Sequence, residues 1–296
     1  MTFSYQPPTL WQRYLYRLLP SRTAAPADSP VPAKGKRYRP VPLNEIRLIA
    51  PVRRLLQAQA GQAPLSFRSD KRLTVIIPYR DRDEHLNAFI PAITQALTEQ
   101  AIDYRILVVE QAGNALFNRG KLLNIGMHYA AEHSDYYCLH DVDAVPVQAD
   151  YRCPSQPLRL INQLLSTHRP SDRLRSINFS GAISLSREQA FAANGFSNHY
   201  WGWGKEDDDF LFRLLLSGAC CHFDEQGQFH DLPNPPHQQV RISKGDKPEH
   251  VRHNRARRSR LYRLLDNPAD DGLSTLTYSI LDRQQHECFE KITVRL

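Results

Sequence analysis

No run of about 18 apolar residues occurs anywhere in this 296-residue chain, so a membrane-spanning helix is not expected. The N-terminus lacks the charged-then-apolar order of a secretory signal, and the expectation is a cytoplasmic chain. Cysteine is sparse, and Cys138, Cys153, Cys220, Cys221 and Cys288 form no CxxC pair, which argues against a zinc cluster and for mostly reduced thiols. No glycine-rich loop follows the first strand-like run, so dinucleotide-binding and P-loop readings lose support. Internal repeats are absent as well. What is present is 41% hydrophobic residues, enough for a sizeable core, and a net charge of +7, which favours phosphate-bearing or polyanionic partners without choosing among them.

Residues 1–66 are rich in proline and basic side chains and read as an extension, with a catalytic domain over 67–296. Within the extension, Leu10 to Leu19 mixes Trp11, Tyr14, Leu15 and Leu18 with Arg13 and Arg17, a pattern that suits an interfacial helix or a short helix docked on the domain. From Leu73 onward strand and helix signals alternate. Leu73 to Ile77 reads as a buried strand, and Leu86, Phe89, Ile90, Ile93 and Leu97 fall at helical spacing. Ile106 to Val109 and Tyr136 to Leu139 are further strands, with a helix carrying Leu122, Leu123, Ile125 and Tyr129 between them. This βαβαβ order predicts an α/β fold in which ligands sit beyond the carboxyl ends of parallel strands. Tyr79-Arg80-Asp81-Arg82 and Asp141-Val142-Asp143 both lie there. Further on, Ile177 to Leu185 predicts a strand, Ser186 with Gln189 a capping box, and Gly218 a helix stop. Leu273 to Ile280 and Phe289 to Leu296 predict a hairpin at a sheet edge.

The chemistry-bearing residues are acidic. Asp141 and Asp143 leave a strand end, where a hard divalent cation and a diphosphate could meet, although aspartate also simply ends strands. Glu206-Asp207-Asp208-Asp209 suits the first turn of a helix through its dipole alone. Trp201-Gly202-Trp203-Gly204 just before it makes poor core and poor helix, and looks built to move and to stack on a planar group or a sugar face.

Phe117-Asn118-Arg119-Gly120-Lys121-Leu122-Leu123-Asn124-Ile125-Gly126, Asp141-Val142-Asp143, and Asn194-Gly195-Phe196 through Trp201-Gly202-Trp203-Gly204-Lys205-Glu206-Asp207-Asp208-Asp209 together resemble the β-1,4-galactosyltransferases. The likeness extends to Tyr151-Arg152-Cys153, Ser155-Gln156-Pro157, Asp271-Gly272-Leu273 and Leu276-Thr277-Tyr278, and spans about Leu73 to Leu296. It implies a GT-A fold, a manganese-dependent UDP-galactose site, inversion at the anomeric carbon, and a β-1,4 linkage to an acceptor ending in N-acetylglucosamine, glucose or xylose. By that resemblance Pro78, Tyr79, Arg80, Arg82, Phe117, Arg119 and Val142 would line the donor side, and Asp143 would hold the metal. Trp203 would cover the donor from a mobile loop. Asn178, Gly181, Gly204, Glu206 and Asp208 would serve the sugars, and Asp207 would be the general base, with a low pKa expected at a helix N-terminus.

The resemblance also calls for a histidine on the metal. His230 is the candidate, with His237 and His140 as rivals. A further family ligand, methionine or histidine, is replaced by Gly227 or Gln228. Asn178 stands where the galactose enzymes carry a tyrosine, so UDP-N-acetylgalactosamine is the alternative donor. Cys138 and Cys153 match a pair that is disulfide-bonded in secreted relatives. The basic run Arg252, Arg255, Arg257, Arg258 and Arg260 is expected on a solvated helix face or against anionic lipid. No base-reading motif accompanies it, so nucleic-acid binding is not expected. Retention of Asp143, Glu206 and Asp207 argues against an inactive glycan-binding relative. The acceptor is expected to be a glycan or a lipid-linked oligosaccharide.

Overall fold

The computed structural model describes residues 35–39, 64–165, 175–176, 179–233, 249–263 and 265–296. Leu10 to Leu19, Asn178 and His237 lie outside them. In chain order come β1 (Gly35–Arg39), β2 (Phe67–Arg68), β3 (Leu73–Tyr79), α1 (Asp83–Glu99), β4 (Tyr104–Gln111), α2 (Arg119–Tyr129), β5 (Tyr136–His140) and β6 (Ala144–Gln148). They are followed by β7 (Cys153–Pro154), β8 (Leu158–Arg159), β9 (Gln163–Leu165), β10 (Arg175–Ser176), β11 (Ala182–Ser186) and α3 (Arg187–Ala192). The chain ends with α4 (Glu206–Leu216), β12 (His222–Phe223), β13 (Gln228–Asp231), α5 (Glu249–Tyr262), β14 (Ser279–Gln285) and β15 (Glu290–Arg295).

The main sheet has the order β12-β8-β11-β5-β3-β4-β15-β14. Its centre is the parallel set expected from the βαβαβ pattern, with β3 between β5 and β4, while β11 runs antiparallel to β5. Every residue of β3 is buried. Because side chains alternate along a strand, Val75, Ile77 and Tyr79 pack on the face covered by α1, and Ile76 on the face covered by α2 and α4. On the first face Phe89, Ile93 and Leu97 of α1 are fully buried, each contributing roughly 1.5–3 kcal/mol by leaving water. On the other, Gly126 lets α2 lie so close to β3 that a Cβ there would stand 2.3 Å from Ile76 Cγ2.

A second sheet, β10-β1-β9-β13-β6, hangs from the strand end that follows Asp143. Within the segment 1–66, Gly35–Arg39 pairs with β9 and β10. The capping box at Ser186 and Gln189 is present. The tail needs a correction. Leu273–Thr275 is a 3-10 turn rather than strand, because Asn194 captures it: the Leu273 amide donates to the Asn194 carbonyl at 2.9 Å and the Ser274 amide to Asn194 Oδ1 at 2.8 Å. The strand begins only at Ser279, and its hairpin with β15 closes the sheet edge as expected.

Candidate active site

Three structural corners converge at the carboxyl ends of β3 and β5. The first is the turn after β3. The Tyr79 hydroxyl donates to the Asp83 carboxylate and accepts the Arg82 amide at 3.2 Å, which pegs the turn. Arg80 reaches sideways, donating to the Ala115 carbonyl at 2.7 Å with its guanidinium 5.3 Å from the centre of the Phe117 ring. Arg82 points inward, and its Nη1 lies 3.0 Å from Asp143 Oδ2. Pro78 sits one step back in β3, opposite Val109 of β4.

The second corner is the Asp141-Val142-Asp143 turn. The Asp141 amide donates to the Gly181 carbonyl at 2.7 Å, and Gly181 needs its left-handed backbone (φ +88°) to present that carbonyl. The Val142 side chain is buried in the core, so only its backbone is left to meet a ligand. Burial raises the Asp143 carboxyl above its ordinary pKa, and the neighbouring Asp141 and Asp231 charges push the same way against Arg82.

The third corner is the start of α4. Gly202 (φ +70°), Gly204 (φ +102°) and Lys205 (φ +86°) all have left-handed backbones, and the Gly202 amide is tied to the Phe117 carbonyl at 2.8 Å. Trp203 is 61% exposed, far more than a core tryptophan, and so is available for stacking. Glu206 is buried at the helix start, where desolvation raises its carboxyl above the ordinary pKa against the pull of Arg119.

Arg119, the first residue of α2, joins two of these corners. Its Nε lies 2.6 Å from Asp141 Oδ1 and its Nη1 2.8 Å from Asp207 Oδ1. The preceding Asn118 fixes the helix start by accepting the Lys121 amide at 2.9 Å. Two buried polar atoms in this nest, Arg119 Nη2 and Glu206 Oε2, have no hydrogen-bond partner among the described residues. Buried groups of this kind are costly unless something completes them, and a polyhydroxylated ligand has the hydroxyls to do so.

The expected low pKa of Asp207 does not hold. Desolvation raises its carboxyl well above the ordinary value, aided by Glu206 and Asp141, and outweighs the pull of Arg119. Asp208 Oδ2 is held at 2.8 Å by both Lys205 Nζ and Arg258 Nη1, and the Arg258 contact ties α4 to α5. The Arg258 tie was not readable in the sequence, since Arg258 lies 50 residues away, whereas Lys205 and Asp208 stand at i,i+3. A buried network behind the site was likewise missed. Tyr200 and Arg213 hold Asp209, while Arg213, Arg257, Ser197 and the Asn198 amide hold Asp271. Only the i,i+4 spacing of Asp209 and Arg213 gave a signal.

Among the described residues no group of three or more His, Cys, Asp or Glu side chains could hold a metal ion. The donor chemistry nonetheless fits a hard divalent cation at Asp143: a desolvated carboxylate, crowded by Asp141 and Asp231, is short of positive charge. His230 lies on β13 opposite Val145 of β6, within two residues of Asp143 in register, and its side chain is exposed. His140 is no longer a rival. It is fully buried, its Nδ1 is 3.0 Å from the Asp141 carbonyl, its Nε2 is 3.1 Å from the Tyr151 hydroxyl, and burial pushes its pKa down to about 4.

Similarity to known proteins agrees with this arrangement. A family model described as the N-terminal region of glycosyl transferase group 7 matches residues 38–154, and one described as the N-terminal domain of galactosyltransferase matches residues 163–232. β-1,4-Galactosyltransferase 1 of Homo sapiens is 33% identical over 282 residues, covering 93% of this chain and 67% of the relative. β-1,4-Galactosyltransferase 4 of Cricetulus griseus is 35% identical over 236 residues, covering 78% and 65%. The chain thus spans about two thirds of the length of these relatives. Among solved structures, a mutant Drosophila β-1,4-galactosyltransferase 7 in complex with manganese, UDP-Gal and xylobiose matches with a TM-score of 0.62 at 26% identity, covering 76% of this chain and 94% of that one.

Proposed function

The chain belongs to the β-1,4-galactosyltransferase family, and on that premise we propose that it transfers galactose from UDP-galactose, with inversion, to a terminal N-acetylglucosamine, glucose or xylose of a glycan. It is a glycosyltransferase of the GT-A fold. The observation that carries the proposal is the Arg119 bridge, which sets the helix-start carboxylate Asp207 beside the strand-end carboxylate Asp141.

Tyr79, Arg80, Arg82 and Phe117 form the uridine diphosphate side. Asp143, with His230, would hold manganese, which supplies Lewis-acid neutralisation of the departing diphosphate. Arg119 Nη2 and Glu206 Oε2 receive donor-sugar hydroxyls, satisfying their open valences. Asp207 takes the proton of the acceptor hydroxyl while that oxygen forms its bond to the anomeric carbon and the bond to the diphosphate breaks on the opposite face. Trp203, on its glycine-flanked loop, excludes water and stacks on sugar.

UDP-N-acetylgalactosamine is the second donor reading, resting on the small Asn178 side chain. The unpaired, buried Cys138 and Cys153 support a reducing, cytoplasmic setting. The exposed Arg252 and Arg255 of α5 support a peripheral contact with anionic lipid on the way to a lipid-linked acceptor. Among the described residues no helix is long and apolar enough to cross a membrane.

A panel of UDP-sugars against simple β-linked acceptors, with manganese or excess chelator, tests the assignment. Galactose transfer that requires the ion is the expected result. Full turnover in chelator would remove the metal from the proposal, and transfer from no UDP-sugar to any acceptor would remove the activity.

A further inference from the structure

The carboxylate proposed for the metal is already engaged by a cation of the protein. Arg82 Nη1 lies 3.0 Å from Asp143 Oδ2, and the two side chains are only 21% and 29% exposed. The contact is delivered by a fixed backbone, because the Arg82 amide is hydrogen-bonded to the Tyr79 hydroxyl, itself anchored on Asp83. Asp143 has no surplus of positive charge beyond this arginine, since Asp141 and Asp231 crowd it with like charge. A divalent ion on Asp143 Oδ2 would compete with the guanidinium directly, and one on Oδ1 would still stand close enough to be repelled by it. Once displaced, however, the guanidinium remains at the corner where a diphosphate would sit, and a phosphate oxyanion is the partner it prefers.

We propose that Arg82 is an exchangeable countercharge: it neutralises Asp143 in the nucleotide-free protein and passes to the diphosphate when a divalent ion takes Asp143. This rests on the donor-site reading above and adds to it a linkage. Ion binding and UDP binding become mutually dependent through one side chain, and the dependence must be equal in both directions. Manganese alone binds weakly because it must displace Arg82. UDP alone binds weakly because Arg82 is committed to Asp143. Either ligand removes the obstacle to the other.

The test is a titration of the full chain with Mn²⁺, following the free ion by electron paramagnetic resonance, with and without UDP. Arg82→Gln should bind Mn²⁺ alone about two- to tenfold more tightly than wild type, the scale of a partly exposed ion pair. The tightening produced by UDP should shrink by at least the same factor. Arg82→Lys, which keeps a cation, should stay close to wild type. A second measurement does not depend on the Arg82→Gln fold: in excess chelator, Asp143→Asn should bind UDP more tightly than wild type, and combining it with Arg82→Gln should erase the gain. A plain loss of like charge near the diphosphate would leave the gain in the double variant, and that result would overturn the proposal. So would Arg82→Gln binding Mn²⁺ alone no more tightly than wild type. If wild type binds no Mn²⁺ with or without UDP, the metal reading falls and this linkage falls with it, whereas unaltered coupling in a protein that does bind Mn²⁺ refutes the linkage alone.

Discussion

Replacing Asp207 by asparagine separates its chemistry from its position. The carboxylate accepts Arg119 Nη1 at 2.8 Å through Oδ1, and an amide oxygen can keep that contact, so the nest around Arg119 should survive. What is lost is the basic oxygen. General-base catalysis is worth about 10² to 10⁴ in rate, or roughly 3–5 kcal/mol of barrier, and the loss should fall on kcat while UDP and manganese affinity change little. The pH profile carries a second signature. Burial raises the Asp207 pKa above the ordinary carboxylate value, and only the deprotonated form accepts a proton, so activity should fall as pH drops through that raised value. The acid limb should therefore lie above the range of an exposed aspartate in the wild type, and should vanish from the residual activity of the variant. Initial rates across pH, beside calorimetry with UDP and manganese, measure both. A variant keeping more than about a tenth of wild-type turnover, a loss well short of the general-base range, refutes the assignment and shifts the role to Glu206 or Asp208.

Lys205 holds a left-handed backbone that costs a non-glycine residue roughly 1–2 kcal/mol, so Lys205→Gly should hold or raise Tm, whereas Lys205→Ala, which keeps the strain and loses the Asp208 contact, should lower it. A Tm lower in the glycine than in the alanine variant would contradict this. Arg213→Ala strands Asp209 inside the protein, and breaking such a buried pair should cost about 3–5 kcal/mol in chemical denaturation. A change below about 1 kcal/mol would mean that Tyr200 alone satisfies the carboxylate. Trp203→Ala should leave stability within about 0.5 kcal/mol, as for other exposed positions, while lowering kcat/KM. Unchanged kinetics would remove Trp203 from the site.

Much of the frame is legible in the sequence because its signals are local. The β-branched run from Leu73 and the helical spacing of Phe89, Ile93 and Leu97 depend only on period, and the Ser186 capping box only on a three-residue offset. The tail strand is misplaced by period alone because a distant side chain, Asn194, captures Leu273 and Ser274. β1 is missed for a related reason: its partners lie in β9 and β10, far along the chain, and its own residues Gly-Lys-Arg-Tyr-Arg alternate too little to announce a strand. At the site, the acids are legible by type but their pairing is not. Nothing in the spacing of Arg119, Asp141 and Asp207 says that one guanidinium reaches both carboxylates, and the helix-dipole argument gave Asp207 a low pKa because desolvation is invisible in one dimension.

The pairing pattern explains how so many acids can share one corner. Asp143 is met by Arg82, Asp141 and Asp207 by Arg119, Asp208 by Lys205 and Arg258, and Asp209 by Arg213. Without these cations the adjacent charges of α4 would repel one another and the strand-end acids facing them, since the helix dipole offsets only about half a charge. The cations come from separate elements: the turn after β3, the start of α2, the start and body of α4, and α5. The Arg82, Arg119 and Arg258 pairs therefore also fix one element against another, whereas Lys205 and Arg213 pair within α4. Pairs deep behind the site, such as Arg213 with Asp209, can only be structural, because no ligand reaches side chains 3% and 2% exposed. Pairs at the mouth are different. Arg82 and Arg119 hold their acids in a partly solvated setting, and Arg119 Nη2 and Glu206 Oε2 still lack partners among the described residues. A ligand that brings hydroxyls, a diphosphate and a divalent ion supplies the missing partners and a replacement countercharge together, whereas a ligand bringing any one of them leaves a buried group unsatisfied. On the donor-site reading proposed above, selectivity for the complete nucleotide-sugar and ion would follow from the way these carboxylates are neutralised.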